Sequence, residues 1–512
     1  MIPISFAEVQ RIVSSEIPIP WTSEYEEYLR DESRRTGQAD SISFPRTEAD
    51  VVQTLRAISD HGGTVTVQGA RTGIVAGAVP QGGHVLNLSR MNRIGHILRN
   101  DESDESRLLV QPGALLCDVR KVTECANLLF PPDPTEASAS IGGMASCNAS
   151  GALSYSYGST RNWIERIRVV LADGDILSLR RGIDRANGRA FSLMTEGGRR
   201  IGGHLPSYAM PKVKSASGYY LVDDMDMLDL FIGMEGTLGV ITEIELKLIP
   251  SPGGVVALVV FLPDEDAALE FVRALRLSIS ARPAAIEFFN YDALSLLRDA
   301  RDRHSAFSTI PVLKSDLHTA IYTEFHSDNP DDLDDAVAEV MEAMISLGAS
   351  DEDAWCATSD RELDALKGFR HATPEAVNLL IDERKRIVPG LTKLGTDMSV
   401  PDSQLNALMA MYRAGLEESG LESVIFGHIG DNHVHVNILP TSAEGYDRGM
   451  ELYLSWAKWV VEVGGAVSAE HGIGKAKRSF LRLMYGEDAI AEMQALKRLF
   501  DPHGMLNPGN LF

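Results

Sequence analysis

The run from Phe426 to Leu439, FGHIGDNHVHVNIL, brings three histidines close together in the chain. In an extended strand, the side chains of His433, His435 and Asn437 would share one face, with apolar residues on the other. Glycines on either side of His428 permit a turn that brings it back beside His435. Two imidazoles and one carboxylate can bind Zn²⁺ and leave a position open, and Fe²⁺ or Mn²⁺ would suit the same donors.

The matching carboxylate lies downstream, in the glycine-rich sequence SAEHGIG, where Glu470 precedes His471. We therefore predict that His428, His435 and Glu470 bind a divalent metal, most simply zinc. The alternative is that the histidines only satisfy one another at a strand edge. Three histidines on one strand together with the Glu470–His471 pair favour the metal site over that alternative.

Length and charge exclude several classes of function. A chain of 512 residues is long enough for more than one domain, and its net charge of −24 disfavours nucleic acid and anionic membranes as partners. No apolar run is long enough to cross a bilayer, and the N-terminal residues do not resemble a secretory signal. The four cysteines show no CxxC spacing, so we expect no iron–sulfur cluster and a reducing compartment. We expect a cytoplasmic protein, with peripheral membrane association left open.

A second chemical feature is a predicted strand, 64–68, that opens into the glycine-rich loop 69–77. Backbone N–H groups in such a loop can bind an anion. The spacing matches neither a P-loop nor a strict GxGxxG, so it does not indicate an ATPase or a Rossmann site. Small residues recur in 141–144, 148–151 and 234–240, which suggests backbone held close to a large, flat ligand that carries phosphate. Simple loops between short strands are the alternative.

Other patterns predict the elements that must position these residues. Residues 1–40 read as a helical lead-in, Thr47 as the cap of a following helix, 164–179 as a hairpin, and 180–217 as an irregular surface excursion. After residue 250, strands and helices alternate, which predicts a sheet covered on one side by helices. This part includes an apolar strand at 255–262, a helix from about Arg361, a strand at 396–400 and a last helix at 489–500.

Seven motifs extend these observations: QGARTGIVAGAVP, PPDPTEASASIGGMASCNASG, YGSTRNWIERI, MEGTLGVITEIELKLIP, GHIGDNHVHVNILP, SAEHGIGKAK and FDPHGMLNPGNLF. Their order resembles the FAD-linked oxidase family of the vanillyl-alcohol oxidase/p-cresol methylhydroxylase superfamily. The most similar branch oxidises D-lactate, D-2-hydroxyglutarate or glycolate. The resemblance implies an α+β fold, with a two-part FAD-binding domain of the p-cresol methylhydroxylase type and an α+β cap with a mainly antiparallel sheet. We expect a lead-in at 1–40, the FAD-binding domain at 41–250, the cap at 251–463, and a C-terminal segment, 464–512, that returns to the FAD domain.

The resemblance also implies how FAD is held. It assigns the pyrophosphate to the glycine-rich loop and further flavin contacts to residues spread along the chain. Flavin-tethering histidines are absent from this loop, so we expect non-covalent FAD. Where the family usually has glycines, Ala70 and Arg71 stand here, and Arg71 could add a phosphate contact. The implied cofactor-binding residues are Gln68, Gly69, Ala70, Arg71, Thr72, Gly73, Pro132, Asp133, Gly142, Gly143, Asn148, Ser150, Gly151, Gly158, Glu235, Val240 and Asn507.

The same resemblance assigns the substrate chemistry. Arg370 would clamp a carboxylate, although a solvated helix charge would be the ordinary interpretation of an isolated arginine. Lys393 is a weaker substrate candidate, because the lysine of some relatives stands closer to the following aspartate. The metal would lower the pKa of the substrate hydroxyl, His471 would take its proton, and the Cα hydride would pass to flavin N5. Asn432 and His433 replace the glycine and asparagine usual on the metal strand, so the resemblance does not carry over the asparagine's substrate contact, and His433 is a candidate for altering specificity.

We therefore predict an FAD-dependent dehydrogenase or oxidase that converts a D-2-hydroxy acid to the 2-oxo acid. Reduced FAD would pass electrons to an electron-transfer flavoprotein, a cytochrome, a quinone or an iron–sulfur partner. One alternative is a flavin subunit of a larger glycolate oxidase-like complex. Others are non-redox chemistry like that of alkylglycerone-phosphate synthases, and a flavoprotein without turnover. A homodimer is left open, and the sequence does not choose among the hydroxy acids.

Overall fold

The computed structural model describes residues 19–99, 105–277 and 281–512. The expected helical lead-in falls partly on residues 1–18, which lie outside these ranges. Its described part contains strand β1 (Ile19–Pro20) and a 3₁₀ helix at Ser23–Leu29, and no α-helix. Aromatic side chains of this segment pack against Phe44, so it is anchored by ring contacts.

The first sheet has the order β1-β2-β4-β3, and its last three strands are parallel. Helix α1 (Glu48–Asp60) starts at Thr47 with a capping box, as the sequence predicts. The backbone of Val65 pairs with Met505 and Asn507, so the C-terminal tail covers the β3 edge. The other strands of this first sheet are β2 (Ser41–Ser43), β3 (Val65–Gln68) and β4 (His84–Asn87).

A second, antiparallel sheet has the order β5-β6-β12-β8-β9, with β7 paired to β12. The two sheets give the two-part fold of a p-cresol methylhydroxylase-type FAD-binding domain, and the predicted β8–β9 hairpin is present. The strands are β5 (Ile94–Arg99), β6 (Ser106–Val110), β7 (Leu128–Leu129), β8 (Ile164–Val170), β9 (Ile176–Arg180) and β12 (Val240–Pro250). The intervening helices are α2 (Leu116–Glu124), α3 (Ile141–Cys147), α4 (Ser154–Tyr157) and α5 (Leu228–Phe231).

The expected irregular excursion at 180–217 is wrong, because it contains a hairpin of β10 (Ala190–Met194) and β11 (Arg200–His204). Alternate residues of this hairpin are buried, and Phe191 stacks on Phe500 with ring centroids 6.1 Å apart. Glycines and arginines around the strands obscure this short alternation in the sequence.

The cap is a seven-stranded sheet of order β16-β13-β15-β14-β18-β19-β17, and all its pairings are antiparallel, as predicted. Its strands are β13 (Gly254–Leu262), β14 (Pro283–Phe289), β15 (Thr319–Ser327), β16 (Trp355–Ala357), β17 (Leu394–Gly395), β18 (Ser423–Gly427) and β19 (His435–Ile438). The predicted strand at 396–400 does not form. Thr396 and Asp397 instead use their side chains to bind backbone N–H groups of Val436 and Glu470.

Helices cover both faces of the cap sheet, not one face as expected. Along β13, Val256 and Leu258 pack in one apolar cluster, while Ala257 and Val259 pack in another. This alternation shows that neither face is exposed to solvent. The first cluster includes α6 (Glu265–Leu277), α8 (Pro330–Ser346), α10 (Leu405–Ser419) and α11 (Ala443–Glu462), and the second includes α7 (Tyr291–Arg303) and α9 (Asp360–Ile387).

The span α12 (Arg478–Phe500) consists of two helical segments that meet at Gly486, where φ is +76°, and the second segment contains the predicted helix at 489–500. A glycine accommodates this positive φ without steric cost. Along the three described stretches, no helix combines the length and apolar composition needed to cross a bilayer.

Candidate active site between the glycine-rich loop and the cap

A cavity of about 920 Å³ lies between the loop after β3, helices α3 and α9, and strands β18 and β19. Its volume is within the range of small-molecule and cofactor sites. The predicted residues that line it are Gln68, Gly69, Ala70, Arg71, Thr72, Gly73, Gly142, Gly143, Ser150, Glu235, Arg370, Lys393, His428, His435, Glu470, His471 and Asn507. The predicted residues that do not line it are Pro132, Asp133, Asn148, Gly151, Gly158 and Val240.

Backbone forms the wall where the glycine-rich loop meets α3. Ser140 precedes α3, and its hydroxyl accepts hydrogen bonds from the N–H groups of Ala70 (3.2 Å) and Gly143 (3.3 Å). A Cβ on Gly69 would lie 2.1 Å from that hydroxyl, so only glycine allows this approach. A wall made of backbone fits a flat ligand with phosphates, because no side chain separates it from the peptide N–H groups.

The Arg71 guanidinium, which could add a phosphate contact, has two protein partners. It donates to Glu27 (2.9 Å) and lies 4.2 Å from the ring centroid of Tyr28. Its backbone has φ of +64°, the left-handed conformation that glycine adopts more easily. Arg71 therefore contributes backbone to the cavity wall while its side chain anchors the 3₁₀ helix.

Asn507 and Glu235 connect three remote segments at the cavity. The Asn507 side chain accepts from the Val67 N–H (2.7 Å) and donates to the Glu235 carbonyl (2.8 Å). The Glu235 carboxylate accepts from the N–H groups of Ile473 (2.7 Å) and Gly474 (2.6 Å). Burial raises the pKa of Glu235 to about 7. These contacts hold the SAEHGIG turn against the cavity.

Three predicted metal ligands, His428, His435 and Glu470, converge on the cap side of the cavity; we call them the metal-ligand cluster. His428 Nε2 lies 3.1 Å from Glu470 Oε1, and His435 Nε2 lies 3.4 Å from the same oxygen. On the opposite ring nitrogen, His428 donates to Glu287 (2.6 Å) and His435 donates to the Thr396 carbonyl (2.8 Å). Each imidazole therefore has its Nδ1 fixed and its Nε2 directed at one point.

The second oxygen of Glu470 is held from the FAD-binding side. Its Oε2 accepts from Ser150 Oγ (3.2 Å) and Lys214 Nζ (3.0 Å). Although burial opposes ionisation, His428 and Lys214 hold the pKa of Glu470 well below its usual range. Supporting partners of this kind are usual for metal-binding imidazoles and carboxylates, so these residues fit a divalent ion. Sequence analysis missed Lys214, since nothing in its irregular segment indicates a partner.

Asp397, also missed, organises the turn that carries Glu470 and His471. Its carboxylate accepts from both their backbone N–H groups, at 3.2 and 3.1 Å, and from Lys477 Nζ at 2.8 Å. His471 Nδ1 lies 3.3 Å from Asp397, and His471 Nε2 lies 3.6 Å from Glu470 Oε1. Burial lowers the pKa of His471 to about 4, so its imidazole is neutral near pH 7 and able to accept a proton.

Arg370 lies on α9 at the cavity wall, and its side chain is 9% exposed. Nη2 donates to Asp133 (2.9 Å), which also pairs with Arg120 (2.6 Å). Nε is buried and has no hydrogen-bond partner within the described ranges, so the guanidinium has donor capacity left. Lys393 also lines the cavity, and burial lowers its pKa to about 8.

Comparison with known proteins gives the family. Residues 252–511 match the family described as FAD linked oxidases, C-terminal domain, and residues 39–180 match FAD binding domain. The chain belongs to the FAD-linked oxidases. This FAD-linked oxidase is therefore an FAD-dependent oxidoreductase, as the motifs predict.

Relatives of this FAD-linked oxidase match over most of their length. D-2-hydroxyglutarate dehydrogenase of Stutzerimonas stutzeri (strain A1501) is 29% identical, over 95% of this chain and 94% of that protein. D-lactate dehydrogenase of Anaerostipes hadrus is 27% identical over 95% and 92%, and glycolate oxidase subunit GlcD of Bacillus subtilis (strain 168) is 28% identical over 92% and 89%. A solved alkyldihydroxyacetonephosphate synthase superposes with a TM-score of 0.63 at 16% identity, over 93% of this chain and 77% of that one, which shows a shared fold.

Proposed function

We propose that this FAD-linked oxidase converts a D-2-hydroxy acid to the corresponding 2-oxo acid with the help of a divalent metal ion. The observation that carries the proposal is that Arg370, His471 and the metal-ligand cluster border the same cavity as the glycine-rich loop. Three relatives are named for D-2-hydroxyglutarate, D-lactate and glycolate, which share a hydroxyl beside a carboxylate.

Each group of the substrate has a matching residue in the proposal. Arg370 binds the carboxylate through charge-assisted hydrogen bonds, and Lys393 is the second candidate for that contact. His471 accepts the hydroxyl proton at Nε2, because Nδ1 faces Asp397. The metal-ligand cluster holds the ion. When bound, FAD supplies the two-electron oxidant and the ion supplies a Lewis acid.

We assign non-covalent FAD to the backbone wall formed by 68–73 and 142–143, with Ser150, Glu235 and Asn507 closing it. We propose that the predicted cofactor residues that do not line the cavity support this wall through packing. At Gly151, for example, an added Cβ would lie 1.6 Å from the Asp133 carbonyl oxygen, so the residue fits only as glycine. This arrangement leaves the wall free of bulky side chains.

We further propose that reduced FAD is reoxidised by a separate acceptor. All four cysteines are free, and none belongs to a possible metal-binding group within the described ranges. In the proposal the electrons leave to an electron-transfer flavoprotein, a cytochrome, a quinone or an iron–sulfur partner. The subunit designation of the Bacillus subtilis relative supports an acceptor on a partner subunit as the second candidate.

An anaerobic screen tests the proposed function. Purified protein with bound FAD is mixed with both enantiomers of lactate and 2-hydroxyglutarate, and with glycolate, and flavin absorbance is followed. We expect bleaching by a D-enantiomer or by glycolate. A chelator should prevent bleaching while FAD remains bound, and added divalent ion should restore it. The absence of bleaching by any acid, with metal and FAD both present, would contradict the proposal.

A further inference from the structure

His433 has no role in the proposed function, yet it lies beside the metal-ligand cluster and is fully buried. Nε2 lies 3.0 Å from an oxygen of the buried Asp397 carboxylate, which is its partner in the protein. Nδ1 has no hydrogen-bond partner within the described ranges. Buried polar atoms are nearly always bonded, so Nδ1 indicates a partner that is not a protein group.

The position of the ring identifies that partner. The His433 ring centroid lies 5.3 Å from that of His428 and 4.4 Å from that of His435. One atom each from His428, His433, His435 and Glu470 all lie within 4.8 Å of one another. With metal–ligand bonds of about 2.0–2.2 Å, donors of one ion are at most about 4.4 Å apart. The four atoms are therefore close to the spacing that one ion requires.

The backbone before His433 aims it at the cluster. Asn432 follows a 3₁₀ turn at Ile429–Asp431 and has φ of +53°. Its side chain is fixed by Arg276 (2.6 Å) and by Asp402 (2.5 Å). The His433 N–H then donates to the His428 carbonyl (3.2 Å), which closes the turn and brings both rings to one side. His433 thus lies before β19, outside the strand alternation expected from the sequence.

We propose that His433 is a fourth protein ligand of the divalent ion, so that three imidazoles and one carboxylate hold it. The inference rests on the metal site of the proposed function. A four-coordinate ion would then have no position for the hydroxy acid. The ion must accept five or six donors, which favours Fe²⁺, Mn²⁺ or Co²⁺ over tetrahedral Zn²⁺.

Cobalt binding tests the proposal without relying on activity. Wild type and His433→Asn, both with FAD bound, are loaded with Co²⁺ and titrated with a competing chelator. We expect His433→Asn to weaken Co²⁺ binding by more than the about 10–100-fold that loss of a supporting group costs. Its visible absorption should also change, since the coordination number falls. His84→Asn is the matched control, because it removes a buried imidazole from the β2–β4 region and should leave Co²⁺ affinity unchanged.

The outcomes separate the inference from the proposed function. If wild type binds Co²⁺ and His433→Asn matches it in affinity and spectrum, His433 is not a ligand and the proposed function still stands. If wild type binds no divalent ion, the metal site itself is wrong and the inference falls with it. X-ray absorption of the Co²⁺-loaded wild type counts imidazole ligands directly, so misfolding of the variant does not prevent a result. Three imidazoles support the proposal, and two overturn it.

Discussion

Replacing Arg370 by alanine should weaken substrate binding far more than it slows flavin reduction. In the proposed function the guanidinium touches the substrate carboxylate in both the ground state and the transition state, so its loss would remove uniform binding. Losing one partner of a buried charge pair costs about 2–5 kcal/mol. Part of this guanidinium is already committed to Asp133. We therefore expect the lower part of that range, about 2–3 kcal/mol, or about 30–150-fold in substrate Kd.

Stopped-flow measurement of anaerobic flavin reduction against substrate concentration gives Kd and the limiting rate separately. Arg120→Ala is the matched control, because Arg120 also pairs with Asp133 (2.6 Å) but does not line the cavity. It should change substrate Kd less than about threefold while perturbing the same carboxylate. If Arg370→Ala and Arg120→Ala raise Kd equally, Arg370 acts through Asp133, and the substrate assignment is wrong.

Three further perturbations have defined outcomes. His471→Ala should slow the limiting rate of flavin reduction about 10²–10⁴-fold with FAD content unchanged, and a wild-type rate in stopped flow would mean that another group is the base. Acid precipitation should release FAD into the supernatant, and flavin that stays in the pellet would indicate a covalent bond. Burial lowers the pKa of His84 to about 4, so the unfolded chain takes up a proton that the folded chain does not. His84 alone should therefore contribute about 3 kcal/mol to the loss of stability between pH 6.5 and 4. Other buried histidines such as His471 add losses of their own, so His84→Asn should make the total loss about 3 kcal/mol smaller than in wild type, whereas a change at the exposed His96 should not.

The elements that sequence analysis located are those with local signals. The apolar run at 254–262, the capped helix after Thr47 and the hairpin at 164–180 each depend on neighbouring residues. The fold and FAD use followed from motifs spread over most of the chain. For the cap sheet, the sequence predicts helices on one face only, whereas they cover both. Strand β13 is apolar on both faces, and its sequence does not indicate which helices cover each face.

The parts of the site that were missed depend on contacts between remote residues. Lys214 meets Glu470 across 256 residues, and Glu287 meets His428 across 141. The Arg71 guanidinium donates to Glu27, 44 residues away, and no local pattern indicates that contact. The fold decides which partner lies beside a side chain, and that partner sets the direction of the side chain. A local sequence pattern carries no information about such a remote partner.

The contact between Asn507 and β3 also constrains the order of events during synthesis. The Val67 N–H meets its Asn507 partner across 440 residues, so the β3 edge stays open until almost the whole chain has been made. At about 5–20 residues per second, that delay is about 20–90 seconds. An uncovered strand edge is a template for wrong pairing with other chains. The β3 edge is therefore open to wrong pairing throughout that interval, which ends only when Asn507 reaches β3.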